Sequence, residues 1–423
     1  MRIAFISYEF PPDTAFGGIA TYVRQAARLL ARSGNEVEVF TASTERHGSF
    51  PEDGCIVHRI LSAGRDKFAL EICEVFGQRL SEVEFDVVES PEYFADGSEI
   101  MMRHRHIPHV VKLHTPSSLI HELSRPSACW RKRLVAAARY TKYAIQRRMS
   151  RQETLDRDDW ELVSPSLQRV AMAERNATRN ADLVLSPSKS LAEWAIKRWK
   201  IEKRRVQVIP YPYEPSQELL SASTGPKDNE QIILGYFGRL ERRKGIDNLI
   251  PVLETSLRKH PKLQVRLVGK SQTHLESGLT YDSLIRKALS EFAHRIELVG
   301  NVPLDTISAL YRDTDICIFP SLWENFPNVC LEAMSAGRAI IGSRNGGMRE
   351  MLEDGCCGLV VDPNSTLAME NAIDELVSDP NKRQAFGENA RKKVIHSYSS
   401  DTIVPQMLEA YQQAIALHRG RRT

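Results

Sequence analysis

Short apolar runs recur along the first half of the chain, at residues 3–7, 36–41, 56–61, 85–89, 109–114, 182–186 and 206–210. Most lack the strict in–out alternation of a sheet with one wet face. Continuous Val, Ile and Leu runs mark strands covered on both sides, as in parallel sheets. Between them lie stretches with helical spacing, such as 19–32, where Val23, Ala26, Ala27 and Leu30 fall on one stripe. The alternation predicts a doubly wound α/β layer. The same grammar restarts later, with strands over 232–237, 263–268, 296–299, 316–319, 339–342 and 358–361, and closes on an amphipathic helix over 401–418.

The two halves are separated by Pro210-Tyr211-Pro212-Tyr213-Glu214-Pro215 and then Ser221-Ala222-Ser223-Thr224-Gly225-Pro226. Prolines oppose regular pairing, and the small polar residues favour exposed chain. The expected organisation is a first domain over 1–212, a linker over 213–230, a second domain over 231–400, and a final helix over 401–423. Two consecutive doubly wound domains imply a cleft, with ligands held at the turns that leave the carboxyl ends of the strands.

One stretch, about 117–180, breaks the rhythm and reads as a helical insertion. Between Arg125 and Arg151 it carries nine Lys or Arg and no Asp or Glu. Two readings stand: a solvated helix face, or a surface for anionic lipid or a polyanionic acceptor. The insertion lacks the aromatic platform of a single-strand binder. A formal net charge of +3 over 423 residues is likewise too small for a nucleic-acid partner. The seven cysteines are odd in number and show no C-x-x-C spacing, which speaks against zinc and redox motifs and for a reducing cytosol. The first apolar run ends at Pro11-Pro12, too short for a signal peptide, and no segment approaches the ~20 apolar residues of a membrane span. A cytoplasmic protein is expected, with a peripheral position at the inner face of a membrane open to it through the basic insertion. The sequons at Asn176 and Asn364 then read as accidental.

Four strand-exit loops carry candidate chemistry. Gly17 and Gly18 precede a helix, where bare backbone and free N–H groups suit an anion; a plain tight turn would look the same. Residues 238–245, Gly-Arg-Leu-Glu-Arg-Arg-Lys-Gly, leave a strand as a basic loop. There Arg239, with a bidentate fork, and Lys244, with a compact charge, can converge on one diphosphate. In the third loop, Glu324 and Glu332 are eight residues apart with a helix starting between them. Carboxylates accept hydrogen bonds from sugar hydroxyls, and amides at a helix start meet phosphate or sugar oxygens. The fourth loop holds Gly346-Gly347, which pattern alone leaves undecided between a turn and a site.

In this order the loops resemble the retaining GT-B glycosyltransferases of the group 1, or GT4, family. The E-x7-E motif of Glu324 and Glu332, followed by Ala333-Met334-Ser335-Ala336-Gly337 and Gly346-Gly347, carries most of the likeness. Gly238-Arg239-Leu240 and Lys244-Gly245 add to it. The resemblance covers nearly the whole chain outside the insertion, and it implies a fold of two Rossmann-like domains facing a cleft. It also implies roles. Arg239 and Lys244 would bind the diphosphate of a nucleotide sugar, and Glu324 the hydroxyls of the transferred sugar. Glu332 would take the ribose, and amides around Asn325, Phe326, Pro327, Asn328 and Val329 sugar and phosphate oxygens. Gly18, with Gly17, would approach the phosphate and acceptor side. His114 would line the sugar site, and the backbone of Val302 would meet the base. Two departures stand out: Asn325 replaces a glycine frequent in relatives, and Lys270-Ser271 follows Gly269 where a second glycine is common.

The reaction implied is hexose transfer with retention, from a nucleotide diphosphate sugar to a glycan, glycolipid or small-molecule acceptor. Arg239 and Lys244 would stand in for a metal. The competing readings are an epimerase or phosphorylase on the same fold, and a non-catalytic protein that binds a membrane or polyanion.

Overall fold

In the computed structural model, the described residues are 1–14, 17–62, 64–124, 164–225 and 231–421. The basic run from Arg125 to Arg151 lies outside them, so its two readings stand as they were. The chain forms two compact units: Met1–Pro187 with Leu191–Ile209 and Val404–Thr423, and Ser188–Ser190 with Pro210–Ile403. Among the described residues, no helix is long and apolar enough to cross a membrane.

Unit 1 is built on eight strands: β1 Arg2–Ser7, β2 Glu36–Ser43, β3 Gly48–Glu52, β4 Cys55–Leu61, β5 Val87–Pro91, β6 His109–Lys112, β7 Leu183–Ser186 and β8 Val206–Val208. They lie in the order β3-β4-β2-β1-β5-β6-β7-β8. All neighbours are parallel except β3 and β4, whose antiparallel register runs from Gly48↔Arg59 to Glu52↔Cys55. A two-residue turn joins that pair, with Asp53 at φ 51° and Gly54 at φ 83°. Positive φ at both positions is what a tight hairpin needs to match strand twist. Most residues of β1, β2, β5, β6 and β7 are buried, as expected of a sheet covered on both faces. Helix Gly18–Arg32, for example, buries Val23, Ala26, Ala27 and Leu30.

The closing helix, Ser400–Gly420, belongs to unit 1 from Val404 onward. Met407, Ala410, Tyr411 and Ala414 are fully enclosed. The Tyr411 hydroxyl donates to buried Glu89 at 2.8 Å, and Tyr22 donates to the same carboxyl at 2.7 Å. Burial raises the pKa of Glu89 despite Lys112 and these two hydroxyls.

Unit 2 has six parallel strands: β9 Ile232–Phe237, β10 Leu263–Val268, β11 Ile296–Gly300, β12 Ile316–Phe319, β13 Ala339–Ser343 and β14 Leu359–Val361. Their order is β11-β10-β9-β12-β13-β14. In chain order this is 3-2-1-4-5-6, the dinucleotide-binding arrangement, whose direction reverses between β9 and β12. On one face of the sheet, a core joins Leu234, Leu267, Ile318 and Ile341 to the helix residues Leu249, Leu253 and Ile373.

The linker expected over 213–230 is not free chain over its described part. Tyr213 is buried and its amide donates to the Tyr398 carbonyl at 2.8 Å. Leu219, in the short helix Gln217–Leu220, and Ala222 are buried as well. The prolines stop sheet pairing here, but the aromatic and apolar residues between them still pack.

Candidate active site

The reversal between β9 and β12 leaves two loops side by side, 238–245 and 320–327. Glycines let them approach. Gly245 has φ 79°, and a Cβ there would stand 1.9 Å from the Pro320 carbonyl oxygen. The Leu322 amide donates to the Arg243 carbonyl at 2.9 Å. The fourth loop closes on the same point from β13. Cβ atoms on Gly346 and Gly347 would fall 2.0 Å from the Glu324 carbonyl oxygen and 1.9 Å from that of Asn325. The Gly347 amide donates to Glu324 at 2.8 Å, and the Asn345 side chain donates to Leu322 at 2.9 Å. The glycine pair therefore holds the backbone that carries Glu324, a structural role that its sequence had left undecided.

At the meeting point, Glu324 is buried. Its Oε1 accepts from Lys244 Nζ, from Ser321 Oγ at 3.2 Å and from Arg243 Nη1 at 3.4 Å. All three donors act on one oxygen, which leaves Oε2 for a further donor. Burial alone would raise this carboxyl, but Lys244 and Arg243 outweigh it and hold Glu324 below the ordinary carboxylate range. Lys244 is also lowered: burial and the Arg243 charge exceed the help it receives from Glu324. The two directions are compatible because Arg243 favours the anion and disfavours the second cation.

Arg243 is a neighbour of Glu324 that the loop pattern did not single out. Its other arm donates to Glu241 at 2.9 Å, and Glu241 lies 3.5 Å from Arg239. Arg239 and Lys244 are thus linked through Glu241, Arg243 and Glu324 rather than touching. Arg239 is mostly exposed, while Lys244 is nearly enclosed.

The other predicted residues of unit 2 fall around this network. Asn325 is buried and shows no positive φ, so the backbone here does not need the glycine frequent in relatives. Its Oδ1 accepts from Ser188 at 2.7 Å. Phe326 packs edge-on against Tyr211 and Tyr398, at 5.6 and 5.1 Å, and anchors the loop. Pro327 caps the helix Asn328–Ser335 with no side-chain acceptor, so Asn328 and Val329 present their amides at an uncapped, partly exposed start. Glu332, one turn on, accepts from the Tyr311 hydroxyl at 3.0 Å. Tyr311 in turn stacks on Phe237, with ring centroids 3.8 Å apart. Burial pushes Glu332 up to about 7, against the Tyr311 hydrogen bond. Val302 stands just past β11, partly buried. The loops after β9, β10 and β11 are stitched by Gly269 N–H to Gly300 at 2.7 Å and Leu240 N–H to Lys270 at 3.0 Å.

Gly17, Gly18 and His114 belong to unit 1. Gly17 caps helix Gly18–Arg32 in extended backbone at φ −174°, which any residue adopts. Gly18 is exposed at the helix start. His114 lies two residues past β6, and its amide donates to Glu92 at 2.8 Å. Burial, with Lys112 and Arg65 nearby, holds its imidazole well below the ordinary range, so it is neutral at pH 7.

Residues 218–393 match the family described as Glycosyl transferases group 1, and residues 17–212 match the Glycosyl transferase 4-like domain. The chain is 26% identical to an uncharacterised glycosyltransferase of Methanocaldococcus jannaschii, covering 99% of each protein. It is 24% identical to the D-inositol 3-phosphate glycosyltransferase of Corynebacterium urealyticum, covering 97% of this chain and 95% of the relative. Among solved structures, the sucrose-phosphate synthase of Thermosynechococcus elongatus superposes with a TM-score of 0.71 at 23% identity, covering 98% of this chain and 99% of the other. Anabaena HepE in complex with UDP gives 0.67 at 18% identity, covering 97% and 100%. These likenesses establish the GT-B fold.

Proposed function

The chain belongs to the group 1 glycosyltransferases, and from that premise we propose that it transfers a hexose, with retention, from a nucleotide diphosphate sugar to a hydroxyl acceptor on a glycan, glycolipid or small molecule. The observation that carries this reading is the loading of Glu324: one oxygen saturated by Lys244, Ser321 and Arg243, the other left for a sugar hydroxyl. Its place at the strand reversal of unit 2 and the UDP bound to a protein of the same fold add support.

On this reading, departure of the diphosphate is the step that needs help, because negative charge grows on its bridging oxygen. Fixed cations and the amides of Asn328 and Val329 stabilise that charge without reorganising. When a diphosphate arrives, Lys244 has a second anion to serve. Arg243 stays on Glu324, so the carboxylate remains ionised while it holds the sugar. The acceptor hydroxyl attacks from the face the diphosphate leaves and gives its proton to the departing diphosphate oxygen as the anomeric C–O bond to that oxygen breaks, and no side chain bonds to the sugar.

Lys244→Ala should therefore cost at least about 2 kcal/mol of transition-state stabilisation, read as kcat/KM for the best nucleotide sugar. We assign the charge work to side chains, so activity should survive EDTA undiminished. A requirement for added magnesium would count against that assignment. The donor itself is found by thermal shift with UDP-, GDP- and ADP-sugars, since a selective ligand stabilises the fold by mass action.

A pH dependence follows from Glu332. In the empty protein its folded value, about 7, lies above its unfolded one, so it binds a proton on folding and loses it as pH rises through 7. Ribose hydroxyls donate best to the ionised form. Nucleotide affinity should increase between pH 6 and pH 8 by up to about tenfold in all, with proton release on binding. Calorimetry in buffers of different ionisation heat reads both, and Glu332→Gln should flatten the profile relative to wild type.

A further inference from the structure

Unit 2 includes a short stretch far removed in sequence from its other residues, Ser188–Ser190. It follows β7 and opens the helix Lys189–Trp199. Free amides at a helix start need an acceptor, and here Glu350 supplies it. Its Oε2 accepts from the Lys189 amide at 2.8 Å, and its Oε1 from the Ser190 amide at 2.8 Å. Glu350 lies on the one-turn helix Met348–Met351, directly after Gly346-Gly347. A carboxylate bound by two amides of a helix start is also favoured by the helix dipole. The three residues are thereby fixed against the loop that supports Glu324.

The two serines then reach the loops themselves. The Ser190 hydroxyl has one proton and two acceptors, the Gly346 carbonyl at 3.0 Å and Glu350 Oε1 at 3.0 Å. Ser188 Oγ donates to Asn325 Oδ1 at 2.7 Å, across 137 positions of chain. Ser188 is 0% exposed and Asn325 4%, so bulk water is no substitute for that bond. Both acceptors adjoin Glu324: an isolated bridge pairs Glu324 with Gly346, and Asn325 is the next residue in the chain. No helix or strand spans residues 320–327, so the backbone under Glu324 takes its place from such contacts. A glycine at position 325 would give Ser188 no side-chain acceptor, so the tether depends on the asparagine of this chain.

We propose that Ser188 and Ser190 are positioning residues for the sugar end of the donor: they hold the Glu324 loop so that the open oxygen of its carboxylate meets a sugar hydroxyl, while the nucleotide end binds without them. The assignment rests on the role given to Glu324 above. A binding group must be held to about 0.5 Å of its productive place, and that depends on the residues behind it. Glu332, in contrast, sits on the helix Asn328–Ser335, beyond the tethered loop, and is held by Tyr311. Loss of a serine hydroxyl is therefore felt by the sugar and not by the nucleotide.

The test is calorimetry on the full chain with UDP, GDP and ADP and with UDP-glucose, GDP-mannose and ADP-glucose, taking the pair that the wild type binds best. The quantity read is the Kd of the nucleotide sugar relative to that of its free diphosphate. Ser188→Ala and Ser190→Ala should each weaken the nucleotide sugar about tenfold and leave the diphosphate within about twofold. Ser190→Thr, which keeps the hydroxyl, should stay within about twofold of wild type for both. A merely structural role would weaken both ligands together. Should Ser188→Ala fail to fold in a thermal melt, Ser190→Ala, at a partly exposed position, decides. Equal weakening of both ligands, no change in either, or failure of threonine to restore the ratio overturns the proposal, while Glu324→Ala loses the sugar's share. An unchanged ratio in Glu324→Ala overturns the reading of Glu324 instead, and a wild type that binds no pair overturns the donor reading; the proposal falls with either.

Discussion

Replacing Glu324 with alanine or glutamine should lower kcat/KM by at least about 30-fold, equivalent to about 2 kcal/mol of transition-state stabilisation. Two effects combine. The open oxygen of the carboxylate no longer holds the sugar, and Lys244 and Arg243 lose the anion they share. Glutamine keeps the shape and one acceptor but not the charge, so it separates the two. If glutamine is nearly as damaging as alanine, charge dominates; if it is much milder, hydrogen bonding to the sugar does. Steady-state kinetics with a saturating acceptor, alongside a thermal melt to show that the fold persists, reads the result. Near-normal turnover in both variants would remove Glu324 from the site.

Gly347→Ala should be at least as severe, about 100-fold or more in kcat/KM, although the residue offers no side chain to any ligand. A methyl group at that position would lie 1.9 Å from the Asn325 carbonyl oxygen and 2.6 Å from Ser188 Cβ. Neither is the flexible end of a long side chain, so the loop carrying Glu324 must move by an ångström or more. Gly346→Ala meets the Glu324 carbonyl at 2.0 Å and adds strain at φ 84°. Gly278→Ala is the control, because it has φ 70° with nothing within 4 Å of the added atom. It should lose only the roughly 1–2 kcal/mol of stability that left-handed backbone costs a non-glycine residue, with kcat/KM unchanged. Equal activity in Gly347→Ala and Gly278→Ala would show that the close contact does not matter.

Much of the fold was legible because strands buried on both faces leave unbroken apolar runs. Their ends were less so. The run at 85–89 becomes β5 Val87–Pro91, because Phe85 is buried by packing rather than by strand pairing. Strand β3 went unread: Gly48 and Pro51 mask its character, although Asp53-Gly54 after it was a usable hairpin signal. In the site, Lys244 and Glu324 could be singled out because each follows a strand in a recognisable loop, and Glu332 by its spacing from Glu324 on the helix that follows. Arg243, Ser321 and Tyr311 could not. Their importance comes from which side chain they touch, and Tyr311 reaches Glu332 from 21 positions away.

The closing helix has a consequence for biogenesis. Unit 2 ends at Ile403, whereas unit 1 begins at Met1 and is finished only by Val404–Thr423. During synthesis, then, the later-made unit should mature first. The earlier one waits with Glu89 lacking its Tyr411 hydroxyl, and with the apolar surface meant for Met407 and Ala414 bare, until Val404–Thr423 has been made. Chains that stall before Val404–Thr423 emerge would be the ones that chaperones find.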